Sequence, residues 1–132
     1  RREGFEIGRR WGETDPPATG GGKGPALATP QTALPGHGCE RTEVLLQSGA
    51  MRLERIHSCA AVTPEGRWYD QEEHEWVLLL QGDAQLRFSD EEEDRQLKQG
   101  DSLLISSGRR HRVTATDPDP GTIWLALFWR DL

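Results

Sequence analysis

From Thr42 onward, short apolar segments alternate with turn residues. Glu43-Val44-Leu45-Leu46-Gln47 and Arg52-Leu53-Glu54-Arg55-Ile56-His57 have strand length, with Gly49 as the turn between them. If the second of these is regular, Leu53, Arg55, His57 and Cys59 share one face, because side chains alternate along a strand. The pattern then sharpens. Glu75 to Gln81 is an apolar run closed by Gly82-Asp83, and Ala84-Gln85-Leu86-Arg87-Phe88 alternates apolar with polar. Two such runs around a Gly-Asp turn predict a hairpin. Arg95-Gln96-Leu97, Ser102 to Ile105, His111 to Ala115 and Thr122 to Trp129 follow as further strands. They are separated by Gln99-Gly100-Asp101, Ser107-Gly108 and Asp117-Pro118-Asp119-Pro120-Gly121. No segment sustains a helical period with caps. Short strands with turns about every 8 to 12 residues predict an all-β sandwich or closed barrel.

The first part of the chain is different. Asp15-Pro16-Pro17 and Gly20-Gly21-Gly22-Lys23-Gly24-Pro25 are breaker clusters, and large apolar side chains are sparse there. Such a segment buries too little apolar surface to offset the entropy of ordering it. Residues 1–40 are therefore expected to form a flexible N-terminal extension, and residues 41–132 the barrel domain.

Composition removes several function classes. The chain has 132 residues, 34% of them hydrophobic, and a formal net charge of −6. A basic footprint for nucleic acid is missing. The run Asp90-Glu91-Glu92-Glu93-Asp94 is expected to be a solvated hairpin tip. No stretch approaches the roughly 18 apolar residues of a membrane span, so no membrane partner is expected. Cys39 and Cys59 lie in segments of different character and form no CxxC, which suggests two reduced thiols in a cytoplasmic protein.

The chemistry-bearing positions gather in two stretches. The first runs from Trp68-Tyr69-Asp70-Gln71-Glu72-Glu73-His74-Glu75 through the apolar strand to Gly82, and the second from Gly100-Asp101 to Gly108-Arg109-Arg110-His111. Tyr69, Gln71, Glu73 and Glu75 share parity, so an extended chain presents them on one side. Glu75 stands where polar sequence gives way to a core strand, and a carboxylate there must be paired, hydrogen-bonded or bound to metal. His111 opens a strand after a tight turn. If the two strands oppose each other, Glu75 and His111 converge, as a plain buried pair or as part of a metal site. An imidazole, a carboxylate and an amide oxygen are mixed N/O donors suited to Fe, Mn, Ni, Co or Zn. His74 is expected on a solvent-facing loop.

Both stretches, in this order and with about 18 residues between them, resemble the cupin superfamily over residues 51–132. Glu75 and Gly82 match the end of its first motif; Gly100, Gly108 and His111 match its second. The departures are specific. Tyr69 and Gln71, or Trp68 and Asp70 in the longer spacing, stand where the family carries two histidines, and Ser106 replaces a proline. The resemblance implies a jelly-roll barrel (a double-stranded β-helix) with a divalent metal held by Gln71, Glu75 and His111, and Tyr69 beside them. His57, Trp68 and Trp76 would line the pocket for a small polar ligand. It allows metal-dependent oxygenase, isomerase or lyase chemistry. The alternative is a metal-free module that binds a sugar-like or carboxylate ligand. Cupins commonly pair through outer sheet faces, and the apolar strand Ile123 to Trp129 suggests a homodimer.

Overall fold

A computed structural model describes residues 14–15 and 34–131. Of the extension expected over residues 1–40, residues 1–13 and 16–33 lie outside the described residues, and its last two residues, Cys39 and Glu40, already belong to a strand. The described chain forms nine strands: β1 (Thr14–Asp15), β2 (Cys39–Ser48), β3 (Met51–Cys59), β4 (His74–Gln81), β5 (Ala84–Phe88), β6 (Arg95–Leu97), β7 (Ser102–Ile105), β8 (His111–Thr116) and β9 (Thr122–Trp129). No helix occurs among the described residues, and therefore none long and apolar enough to cross a membrane. A six-stranded sheet runs β1-β2-β3-β9-β4-β7, and a three-stranded sheet runs β6-β5-β8. All pairings are antiparallel except β1 with β2.

Register explains which side chains face inward. Directly opposed residues in an antiparallel pair share a face. Ile56 opposes Trp124, which opposes Leu79; Glu54 opposes Ala126, which opposes Val77. These apolar residues form the core with Ala84, Leu97 and Val113 of the smaller sheet and its hairpin. Phe88 and Leu86 extend it toward Ile105. Phe128 and Ala126 are fully buried. At about 1.5–3 kcal/mol per large apolar side chain removed from water, this layer is the main stabilising term.

The opposite face of the larger sheet carries its own apolar row. Leu46 opposes Leu53, Leu53 opposes Leu127, Leu127 opposes Trp76, and Trp76 opposes Leu104. Leu46 and Leu104 remain more than half exposed, at 55% and 53%. The next row holds Glu43 and Arg55, a buried bidentate pair with Arg55 Nε donating to Glu43 Oε1 at 2.8 Å. The uneven alternation of β2 has a local cause: the register shifts between Val44 and Leu46. A bulge there puts an extra residue on one strand and reverses its parity.

Two glycines fix how the hairpins meet. Gly82 has φ +78°, and a Cβ on it would lie 2.7 Å from the carbonyl oxygen of Gly121. Gly121 has φ +101°, and its Cβ would lie 2.7 Å from His57 Nε2. Both positions combine a left-handed backbone with a close approach that only glycine permits.

The acidic run forms the tip of the β5–β6 hairpin, with Asp90, Glu92 and Glu93 exposed as expected, while Glu91 and Asp94 are half-buried. Glu91 accepts hydrogen bonds from Arg95 and Arg109, and Asp94 from Arg87 and Thr114. Arg109 also lies over the Phe88 ring, 3.5 Å from its centroid. The run is thus tied by arginines to the end of the smaller sheet, a match of charges that sequence order does not display.

Candidate functional site

His111 is placed by the turn before it and the chain beside it. After the Ser107-Gly108 turn, the His111 N–H donates to the Tyr69 carbonyl (3.1 Å) and its carbonyl accepts from the Tyr69 N–H (2.7 Å). This bridge adds the segment before β4 to the edge of the smaller sheet. The Gly108 N–H donates to the Gln71 carbonyl at 2.8 Å, which brings Gln71 to the same end. Opposite Phe88 in the ladder, the His111 side chain faces the interior at 1% exposure. The Tyr69 and Phe88 rings flank the imidazole, with centroids 5.3 and 6.2 Å away.

Glu75 comes from the other sheet. It opposes Phe128 on one side and Ile105 on the other, so its carboxylate points inward at 1% exposure. Its Oε1 lies 3.8 Å from His111 Nε2. Gln71 is 3% exposed and donates from Nε2 to the same oxygen at 3.0 Å. His111 Nδ1 lies 3.0 Å from the Arg109 carbonyl. A carbonyl only accepts, so Nδ1 carries a proton, which leaves Nε2 as the ring nitrogen that faces Glu75 and could act as a ligand. Tyr69, Gln71, Glu75 and His111 therefore meet at one end of the interior, contributed by both sheets.

A charged group that the sequence pattern did not single out borders them. Arg52 opposes Phe128 from the side away from Glu75, and its guanidinium lies over that ring, 4.5 Å from the centroid. Arg52 donates to the buried Glu54 and, through both terminal nitrogens, to Glu73. Burial works against the Arg52 charge, but Glu54 and Glu73 outweigh it and raise its pKa above the ordinary arginine value. The signal was available in the parity of Arg52 and Glu54 with Ile56.

Other expected site residues stand elsewhere. His57 opposes Ile123 on the outer face of the larger sheet, and its Nε2 lies 2.7 Å from the Pro120 carbonyl. The register that carries Ile56 inward turns His57 outward. Trp76 opposes Leu104 and Leu127 on that same outer face, because it alternates with Glu75 and Val77. Trp68 is half-buried beneath the Arg112 guanidinium, 5.7 Å from its ring centroid. Arg112 opposes Arg87 on the outward side of the smaller sheet. His74 is not on a loop: it opens β4, accepts from the Ser107 N–H at Nδ1 and contacts Asp131 through Nε2.

Residues 60–128 match the family model of the cupin domain, and the chain belongs to the cupin superfamily. Among solved structures, it is similar to a protein of Ralstonia eutropha JMP134 described as a candidate mannose-6-phosphate isomerase. The identity is 31% and the TM-score 0.75, covering 83% of this chain and 100% of that one. A cupin superfamily protein of Desulfitobacterium hafniense DCB-2 shares the fold at 16% identity and TM-score 0.60, with 72% and 81% covered. The Fe(II) form of HppE does so at 14% identity and TM-score 0.58, with 68% and 50% covered. No curated protein matches the chain.

Proposed function

We propose that this cupin binds a small polar ligand at the Glu75–His111 end of its barrel, through a divalent metal ion. The observation that carries the reading is the approach of Glu75 Oε1 to His111 Nε2, 3.8 Å apart in an interior closed to solvent. The donor set fits a metal of the Fe, Mn, Co, Ni or Zn kind: one imidazole nitrogen, one carboxylate and one amide oxygen. Gln71 Oε1 is buried and accepts no hydrogen bond, which makes it an available third donor. Among the described residues no three His, Cys, Asp or Glu side chains form a metal cluster, so neutral donors complete the set. The Arg109 carbonyl orients His111 from behind, as outer partners of ligating histidines commonly do. A metal held there would supply Lewis-acid polarisation of a ligand oxygen.

Around it, this chain's own residues hold and select. Tyr69 and Phe88 fix the imidazole plane, and Phe128 walls the floor beside Glu75. Arg52, stacked on the far side of Phe128, offers a positive charge held in place by Glu54 and Glu73. Mannose 6-phosphate is the first ligand to test, since the Ralstonia protein is described as a candidate isomerase of that sugar phosphate. The second reading is a metal-free binding module, favoured by the Gln71 amide donating to Glu75. Metal analysis of protein purified without added metal separates them. Stoichiometric metal that disappears in Glu75→Ala and His111→Ala supports the first; no metal after reconstitution with Fe, Mn, Ni, Co and Zn rejects it.

We further infer a homodimer. The row Leu46-Leu53-Leu127-Trp76-Leu104 crosses five strands, and a two-fold axis would set it against the same row of a second copy. Leu104→Glu should then give monomers in sedimentation at micromolar concentration; a wild-type monomer would refute the pairing.

A further inference from the structure

The two cysteines, unused by the site, stand face to face. Cys39 opens β2, Cys59 closes β3, and the two are direct partners in the antiparallel ladder. Opposed residues in such a ladder have Cα atoms about 4.5–5.5 Å apart, inside the roughly 4.4–6.8 Å that disulfides span. Both side chains share the outer face with His57, which lies two residues from Cys59. Both thiols are reduced, Cys39 part-exposed and Cys59 buried. Cys59 is walled in: its Sγ lies 3.8 Å from His57 Nε2 and 3.9 Å from the Pro120 carbonyl, beneath Gly121. Burial, with Asp119, Asp117 and Cys39 adding to it, pushes the Cys59 thiol up.

We propose that Cys39 and Cys59 form a redox pair that a peroxide closes into a cross-strand disulfide. Cys39, reachable from solvent, attacks first. Its thiolate bonds to one peroxide oxygen, the O–O bond breaks, and hydroxide leaves, giving a sulfenic acid. Cys59 sulfur then attacks the Cys39 sulfur: the S–S bond forms, the S–O bond breaks, and the departing hydroxide takes the Cys59 proton as water. Two thiols and one hydrogen peroxide become one disulfide and two waters. His57 is not the base for this step, because its Nε2–H donates to the Pro120 carbonyl. The cross-link staples the open end of the β2–β3 hairpin.

The test uses the full chain, treated with hydrogen peroxide and mapped by mass spectrometry without reduction. The intact mass should fall by two hydrogens. Trypsin should release the Cys39 peptide linked to the Cys59 peptide, and dithiothreitol should separate them. In Cys59→Ser, oxidation should stop at a Cys39 sulfenic acid that dimedone traps. In Cys39→Ser, Cys59 should resist alkylation until the protein is unfolded. The proposal is overturned if oxidised wild-type protein forms Cys39–Cys39 dimers between chains. It is equally overturned if Cys39 passes to sulfinic acid while Cys59 stays a free thiol.

Discussion

Glu75→Gln keeps the side-chain shape and removes the charge. In metal-free protein two effects oppose each other. The hydrogen bond from Gln71 drops from a charged to a neutral acceptor, from about 1.5–3 to about 0.5–1.5 kcal/mol, a loss of about 1 kcal/mol. Against this, a carboxylate at 1% exposure carries a desolvation cost of several kcal/mol, which the amide lacks. The metal-free variant should therefore stay within about 3 kcal/mol of wild type. Metal reverses the order. At about 100 times the dissociation constant, a bound ion adds about 2.7 kcal/mol. For a domain of this size that is a rise of about 10–20 °C in Tm. Wild type should show that rise with Mn2+ or Zn2+ after EDTA stripping; the variant, lacking the anionic donor, should show little of it. Thermal scans of both proteins, with and without metal, read all four states. A variant that keeps the full metal-dependent rise, or that loses more than about 3 kcal/mol without metal, would mean that Glu75 is a structural residue.

Three further outcomes follow from the fold. Arg55→Ala leaves Glu43 buried without its bidentate partner and should cost about 3–5 kcal/mol in urea denaturation; the double change Arg55→Met with Glu43→Leu should recover most of it. Gly121→Ala forces a Cβ to within 2.7 Å of His57 Nε2 and 2.8 Å of Cys59 Sγ, on a left-handed backbone. It should destabilise by about 2–3 kcal/mol, and an unchanged Tm would count against the packing of that loop. Glu91 is held at about 2, below its ordinary 4.5, chiefly by the hydrogen bond from Arg95 and then by Arg109. Its folded pKa is depressed, so its contribution is present above the unfolded value, about 4.3, and is lost as pH falls from there toward 2. NMR titration of the Glu91 carboxyl should show a pKa well below 4 that climbs as salt screens the arginines; a value of 4 or more would contradict the pairing.

Much of the fold was legible because its punctuation is local. Gly49, Gly82, Gly100 and Gly108 all take positive φ, and the expected strands end beside them. The convergence of Glu75 and His111 was legible too, since each sits at the junction of a turn and an apolar strand. What the pattern hid depends on register. β3 carries charge on both faces, Arg52 and Glu54 inward and Arg55 outward, so hydropathy alone could not orient it. The same ambiguity sent His57 to the pocket on paper and to the outer face in the fold. Trp76 was misread for a related reason: its neighbour Glu75 faces inward, so the strand turns the indole out. The pairing of Cys39 with Cys59 rests on the hairpin register, which a bulge between Val44 and Leu46 resets.

The proposed function stands on Glu75, His111 and Gln71 holding one metal ion between the sheets. Anomalous scattering from crystals grown with Mn2+ tests it directly. A single strong peak is expected, bounded by the carboxylate of Glu75, Nε2 of His111 and the amide of Gln71. A peak elsewhere, or none at that position at saturating metal, would contradict it.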